Sequence, residues 1–417
     1  MLYSYICSLD IGASKIAACV AEMKGKRPVK FFFETAPSKG VKDGSVFDSI
    51  SLITSISKLM KSLKSKSGIN IKHVYANISG PDIVTKHSRA IIPLAERGNK
   101  VVTISDIRKV NEQARTLGSS LEEEIIHQVP FGYGIDSRSN IANPLGLYSH
   151  RLESDLYLIS GKLSSVQSLE RVISQAALEM RDLFFSGMAT SKAVFGAQYN
   201  KGNTLLCDIG SDITEILIFK DAALRGIEIL RSGADVITRK LEEELKISFE
   251  LAEDVKRSHG QVGDLSHIPA DKEILIKKED SYLPISQQLV GSIINSSAKS
   301  VCQQIREAAQ IKADSNLIDN FVVVGRGVLL DGFLECLENI LGIPVKIGRI
   351  ADPGMADWAA KDDNLSGQRY LTYLTCLGMI KLALAKDTFE LSLVTLPEKN
   401  LLSRVINRAK EVYQEYF

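Results

Sequence analysis

Residues 204–219 read TLLCDIGSDITEILIF and residues 5–23 read YICSLDIGASKIAACVAEM. In the first stretch Thr204 to Cys207 is a short apolar strand, Asp208 to Asp212 a small polar turn, and Ile213 to Phe219 the returning strand. In the second, Tyr5 to Leu9 leads into Asp10-Ile11-Gly12-Ala13-Ser14-Lys15, and Ile16 to Met23 returns. Two matched strand, D-I-G turn, strand units about 200 residues apart are poorly explained by a solenoid or propeller period, and predict two similar lobes facing each other.

The turns carry a chemistry. A polyphosphate needs backbone N–H groups directed at its oxygens, hence small residues in a tight turn, and an acidic group to orient the water of a magnesium ion. Gly12 and Ala13 permit close backbone approach, Ser14 and Lys15 can reach phosphate, and Asp10 ends the strand beside them. Asp208, Gly210 and Ser211, with Thr214, repeat the pattern as a second jaw; Asp10 and Asp208 are the candidate magnesium residues, through water. One such turn alone is usually only a hairpin. Two of them, with a third apolar strand Phe321 to Val324 running into Gly325-Arg326-Gly327, favour a phosphate-binding cleft.

Composition narrows the rest. The 417 residues hold 51 Lys and Arg against 50 Asp and Glu, a net charge of +1, so no whole-protein field gathers phosphates and a nucleic-acid partner is disfavoured. A hydrophobic share of 45% with 24% charged residues is that of an ordinary folded chain of two or three domains. The cysteines at 7, 19, 207, 302, 336 and 376 form no CxxC pair, and the histidines show no HxxxH or HExxH spacing, so neither a zinc site nor a disulfide framework is indicated. Asp10 and Lys15 break the apolar start, and the stretch from Leu371 to Ala385 contains Lys381 and is too short to span a bilayer. The chain is expected to be made and kept inside the cell.

Periodicity predicts helices at Ser49 to Lys64, Ser105 to Leu117 with Ser105 as cap, Ser164 to Met180, Ser248 to Ser258, Ser286 to Ile311 and Leu330 to Leu341. Strands are expected at Val74 to Ile78 and Asp155 to Ile159, with a loop-rich stretch around Pro130 and Asn143-Pro144. The region between Ser79-Gly80-Pro81 and about Gly161 reads as an inserted subdomain.

These segments together resemble the FtsA family of actin-like bacterial cell-division proteins, within the actin, hexokinase and heat-shock chaperone ATPase group. Asp10 to Lys15 resembles the family's DIGTSK, and Val74 to Gly80 its VYVGISG. Asn143 to Leu147 is similar to NPVGM, and Arg151 to Gly161 to RLEVDVHIITG. The resemblance implies an α/β, actin-like two-lobed fold with a duplicated ATPase core and an inserted SHS2-type subdomain. It implies ATP and magnesium, with adenosine held by Glu253, Lys256, Gly325, Arg326 and Gly327. It divides the chain into 1–81 (first lobe core), 82–161 (insert), 162–200 (return to the first lobe), 201–386 (second lobe), 387–400 (linker) and 401–417 (terminal helix).

Departures from the pattern bear on activity. The family's second loop reads like DIGGGTTD, whereas Ser211, Asp212 and Ile213 stand for two glycines and a threonine, Glu215 for the final Asp, and Arg326 for a loop glycine. Asp212 brings negative charge toward a phosphate, which predicts weak nucleotide binding and weak or absent hydrolysis; a tilted loop with Asp212 serving magnesium is the other reading.

The last 17 residues, LLSRVINRAKEVYQEYF, place Leu401, Leu402, Val405, Ile406, Ala409, Val412, Tyr413, Tyr416 and Phe417 on one side of a helical wheel and every charged residue on the other. Such a helix docks on its own domain or lies in a membrane interface, and the resemblance favours the membrane. It also implies filaments of the chain itself, the C-terminal peptide of FtsZ and later division proteins as partners, and a place on the cytoplasmic face of the membrane at the division septum. The long helix has Gln287, Gln288 and Ser297 where basic contacts to FtsZ are sought, with Lys299 and Arg306 remaining. A PilM-like pilus adaptor and an actin-fold small-molecule kinase are the alternatives.

Overall fold

The computed structural model describes residues 4–394 except 26, 96–97, 137, 279–280, 313–317 and 364. The predicted helix at 401–417 and the last six residues of the proposed linker, 395–400, lie outside the described residues.

The first lobe opens with β1 (Ser4–Ile11), β2 (Lys15–Lys24) and β3 (Arg27–Pro37), a meander followed by the small hairpin β4 (Val41–Lys42) and β5 (Ser45–Val46). Then come α1 (Ser49–Ser67) and β6 (His73–Ile78). Helix α1 forms because Leu52, Ile56, Leu59, Met60 and Leu63 recur on one face; Asp48 accepts from Ser51 N at its start, and Gly68 closes it at φ 72°.

The insert comprises β7 (Ile83–Pro93), β8 (Lys100–Val101), α2 (Ile104–Gly118), β9 (Glu123–Ile135), β10 (Arg138–Ile141), β11 (Tyr148–Ser149) and β12 (Arg151–Lys162). Its sheet runs β10-β9-β12-β7, and α2 buries Val110 and Ala114 against Leu152, Leu156 and Leu158 in a separate small core. The cap of α2 is Thr103, not Ser105, because Thr103 and Asp106 satisfy each other's backbone N–H groups in a capping box. Pro130 lies within strand β9 rather than in a loop: Gly132 pairs with Asp155 and Pro130 with Leu156, so a bulge at Phe131 accommodates the residue that cannot donate.

The chain returns through α3 (Leu163–Gln175), β13 (Glu179–Phe185) and α4 (Ser186–Val194). The helix expected through Met180 thus stops at Gln175, and Met180 pairs with Val74 in the first sheet, whose order is β13-β6-β1-β2-β3.

The second lobe holds β14 (Asn203–Ile209), β15 (Thr214–Lys220), β16 (Ala223–Leu230), α5 (Asp235–Leu245), α6 (Phe249–His259), β17 (Glu273–Lys278), β18 (Ser281–Ser286) and α7 (Gln287–Lys312). It continues through β19 (Asn320–Val324), α8 (Phe333–Leu341), β20 (Val345–Ile347) and α9 (Pro353–Lys361). The helix expected from Leu330 begins instead at Phe333, because Leu330 is extended after a 3-10 turn over Arg326–Leu329 and Gly332, at φ 73°, leads into α8. The sheet order β16-β15-β14-β19-β20 repeats the first lobe: an antiparallel meander on one side of the D-I-G strand and two parallel strands on the other. The duplication predicted from two short turns therefore extends over both sheets. Strands buried on both faces explain why β1, β2, β14 and β15 read as nearly continuous apolar runs.

A last helix, α10 (Leu374–Val394), occupies the first half of the predicted linker and packs on α4, β1 and β6. Residues from 374 onward thus rejoin the first lobe instead of extending the second to 386. The close approach of α10 to α4 needs a glycine, because a Cβ on Gly378 would lie 1.7 Å from Ala189 O.

Candidate functional site: a cleft between two matched turns

The ends of β1 and β14 face one another across a cleft of about 810 Å³, whose walls include Asp10, Gly12, Ala13, Ser14 and Lys15 from the first lobe. Asp208, Gly210 and Ser211 line the opposite wall. Both turns close alike: Gly12 N donates to Lys15 O at 3.0 Å and Gly210 N to Ile213 O at 3.0 Å. The carbonyls of Gly210 and Ser211 accept from Ala234 N and Asp235 N, and that of Ser14 from Ser38 N. Among the described residues no backbone acceptor meets the N–H groups of Ala13, Ser14, Ser211 or Asp212. Those are the donors that a phosphate-binding turn offers.

Thr214, the remaining predicted phosphate residue, is not on the cleft wall. It is fully buried, and its hydroxyl donates to Ser232 O at 2.7 Å. The strand alternates, so the next residue, Glu215, faces the cleft instead.

Lys15 Nζ donates to Asp10 Oδ2 at 3.0 Å and to Thr372 O at 2.9 Å. The other Asp10 oxygen accepts from Asn77 Nδ2 at 2.8 Å, while Asn77 Oδ1 accepts from Ile11 N at 2.7 Å. Asn77 thereby fixes both the carboxylate and the backbone leading into the turn. Across the cleft, burial and the facing Asp10 raise the Asp208 carboxyl to about 6, although Thr190 Oγ1 donates to it. Glu215, Cα partner of Asp208, is raised to about 8 by burial and by Asp208, with Ser79 Oγ donating to its Oε1. Asp235 is raised to about 7 by burial and by Asp212.

On the adenosine side, Lys256 Nζ donates to Glu253 Oε2 at 2.6 Å and to Thr238 Oγ1 at 2.7 Å, and Arg257 Nε donates to Glu253 Oε1 at 2.7 Å. Burial works to raise the Glu253 carboxyl; Lys256 and Thr238 overcome it and leave the group below its ordinary value. The spacing of three on α6 brings this pair onto one face, as the sequence indicates. Gly325, at φ 86°, and Gly327 are pressed onto the second turn: a Cβ on Gly325 would lie 2.3 Å from Ile209 O. Arg326 is exposed at the rim and lines the cleft near Arg257. Phe249, Val301, Leu330 and Phe333 add an apolar stretch of wall beside these residues.

Sequence reasoning missed Asn77, Asp43 and Asp235. The dipeptide Asp43-Gly44 between Val41-Lys42 and Ser45-Val46 is a tight-hairpin signal that was there to be read.

A model described as "Cell division protein FtsA" matches residues 205–374, and one described as "SHS2 domain inserted in FTSA" matches residues 80–160. The chain belongs to the FtsA family. Among relatives named cell division protein FtsA, that of Streptococcus pneumoniae is 24% identical over 343 residues, covering 82% of this chain and 75% of its own length. That of Bacillus subtilis is 25% identical over 380 residues, covering 90% and 82%. In three dimensions the chain is similar to a PilM–PilN type IV pilus biogenesis complex, with a TM-score of 0.61, 14% identity and coverage of 91% and 98%. It is also similar to MreB5 of Spiroplasma citri bound to AMPPNP, with a TM-score of 0.52, 12% identity and coverage of 93% and 98%. At those identities the likeness establishes the actin-like two-lobed fold. Membership in the FtsA family makes this a cell-division protein, and its two matched turns occupy the cleft between the lobes of that fold.

Proposed function

We propose that this FtsA-family chain binds ATP in the interlobe cleft, polymerises, and tethers the FtsZ ring to the cytoplasmic face of the membrane at the septum. The observation carrying the nucleotide part is the pair of matched turns with open N–H groups facing one cleft. The phosphates would take Gly12 to Lys15 on one side and Gly210 and Ser211 on the other, with adenosine toward Glu253, Lys256 and Gly325 to Gly327. Magnesium would be held through water between Asp10 and Asp208, whose carboxylates line opposite walls of the cleft. Nucleotide then biases the closure of the lobes, and its role is conformational more than one of turnover.

No helix among the described residues is long and apolar enough to cross a membrane. Attachment would rest on Leu401, Leu402, Val405, Ile406, Val412, Tyr413, Tyr416 and Phe417 lying in the interface, strengthened by avidity when copies polymerise. FtsZ and the later division proteins are the partners that this reading gives it.

Sedimentation with anionic liposomes, with and without magnesium-ATP, tests the proposal: the full chain should pellet and form filaments on the vesicles, and a chain ending at Lys399 should stay in solution. Pelleting of the shortened chain refutes the membrane role of the terminus. The fold likeness to the PilM–PilN complex supports a second reading as a pilus adaptor. Capture by a PilN N-terminal peptide and not by an FtsZ tail peptide would favour it.

A further inference from the structure

The two lobes are tied to each other across the cleft by residues that the general phosphate-turn pattern does not contain. In the first lobe, β4 and β5 are joined by Asp43 and Gly44, with φ of 49° and 77°, the tight turn that an Asp-Gly pair favours. The hairpin is held from below: Ser45 Oγ donates to Asp82 Oδ2 at 2.9 Å, and Asp82 also accepts from Ser165 and Lys162. Its tip rests on Gly80, where neither glycine tolerates a side chain, since a Cβ on Gly44 would lie 2.8 Å from Gly80 Cα and one on Gly80 2.4 Å from Asp43 O. So placed, Asp43 N donates to Asp212 Oδ2 at 2.9 Å, a bond from the first lobe to the second turn. Ser211 Oγ donates to the other oxygen at 3.1 Å. A second bond, Ser79 Oγ to Glu215 Oε1, also crosses from the first lobe to the second.

An anion that sits at the second turn and is gripped by a backbone N–H of the opposite lobe does what the terminal phosphate of a bridging nucleotide does: it draws the lobes together. We propose that Asp212 is a resident substitute for that phosphate, latching the lobes without nucleotide and making the cleft select a nucleoside diphosphate over a triphosphate. The latch itself stands on the bond from Asp43 N to Asp212; the selectivity rests on the nucleotide reading of the cleft. With the first two phosphates on Gly12 to Lys15, a third would reach the second turn and must either displace Asp212 from Asp43 N or lie beside a like charge, whereas a diphosphate would stop short of it.

Two variants separate charge from shape. Asp212→Gly removes the anion and the latch. Asp212→Asn keeps an oxygen able to accept from Asp43 N but removes the charge. Lobe separation is read in the full chain by spin labels on Lys24 and Lys346, exposed positions in the first and second sheets, and ADP and ATP affinities by titration with magnesium at fixed ionic strength. The expected result is that Asp212→Gly broadens and lengthens the nucleotide-free distance distribution, Asp212→Asn does not, and both raise the ATP-to-ADP affinity ratio about tenfold or more. An unchanged distance in Asp212→Gly overturns the latch. An unchanged affinity ratio in both variants overturns the phosphate substitution. If neither nucleotide binds to the parent or the variants, the nucleotide reading fails and the selectivity with it, while the distance measurement still decides the latch.

Discussion

Glu215 offers a perturbation whose size and sign follow from its surroundings. It is 3% exposed, sits opposite Asp208 in the β14–β15 ladder, and is raised from an ordinary 4.5 to about 8 by burial and by Asp208. Below the ordinary value the carboxyl is protonated in both folded and unfolded chains, and it contributes nothing to pH dependence. As pH rises from 4.5 toward 8 the unfolded chain releases this proton while the folded chain keeps it, so stability falls. The loss is about 1.4 kcal/mol per pH unit for one proton, reaching roughly 5 kcal/mol once the pH passes the folded value. Glu215→Gln carries no proton to release and retains an amide that can bond to Ser79 Oγ. Its stability advantage should be near zero at pH 4.5, about 3 kcal/mol at pH 7 and largest above pH 8. Hydrogen exchange of the amides of strand Thr214–Lys220, followed at several pH values in both proteins, reads this locally without requiring the two lobes to unfold together. A gap that stays constant with pH, or that narrows as pH rises, would refute the reasoning.

Other perturbations test other parts of the molecule. Gly378→Ala should cost about 1–3 kcal/mol by forcing α10 away from Ala189, and an unchanged melting temperature would show that the helices need not approach so closely. Arg225 of the second lobe donates to Phe131 O at 2.9 Å and lies 4.4 Å over the Phe131 ring of the insert, so Arg225→Ala should speed amide exchange in Glu123–Ile135. Equal exchange in the two proteins would mean that this contact does not hold the insert. Asn77→Ala leaves Asp10 Oδ1 without its Asn77 donor and Ile11 N without its acceptor, and should weaken nucleotide binding roughly tenfold or more; unaltered affinity would remove Asn77 from the site. Binding of ATP without magnesium near pH 7 should take up protons, because an added anion raises Asp235 and Asp208, already near 7 and 6, still further. Titration enthalpies that do not depend on the buffer's ionisation enthalpy would contradict this.

Much of the architecture was legible because it is written in local pattern. The two D-I-G turns disclosed the duplication, the spacing of Leu52, Ile56, Leu59 and Leu63 disclosed α1, and Glu253 and Lys256 lie three apart on a helix, so they share a face wherever it packs. Errors fell where local pattern was ambiguous or tertiary partners decided. Met180 continues an apolar spacing begun in α3, but pairing with Val74 in the first sheet outweighs that spacing. Pro130 reads as a loop residue until a bulge opposite Asp155 and Leu156 gives it a place in a strand. Apolar residues 371–385 read as a stretch too short to span a bilayer, without saying that it closes back on α4 of the first lobe.

The residue types that can hold a phosphate, and their occurrence in two copies, belong to the amino-acid sequence, because a turn of a few residues sets its own backbone geometry. Which carboxylates keep their protons, and what closes the cleft, depend on pairs far apart in the chain: Ser79 and Glu215 are separated by 136 residues, Asp43 and Asp212 by 169. Burial, facing charge and hydrogen bonds across the lobes arise only once both sheets are in place, so Asp212, which as sequence is only an awkward charge in a phosphate turn, becomes in the folded chain the acceptor that joins one lobe to the other.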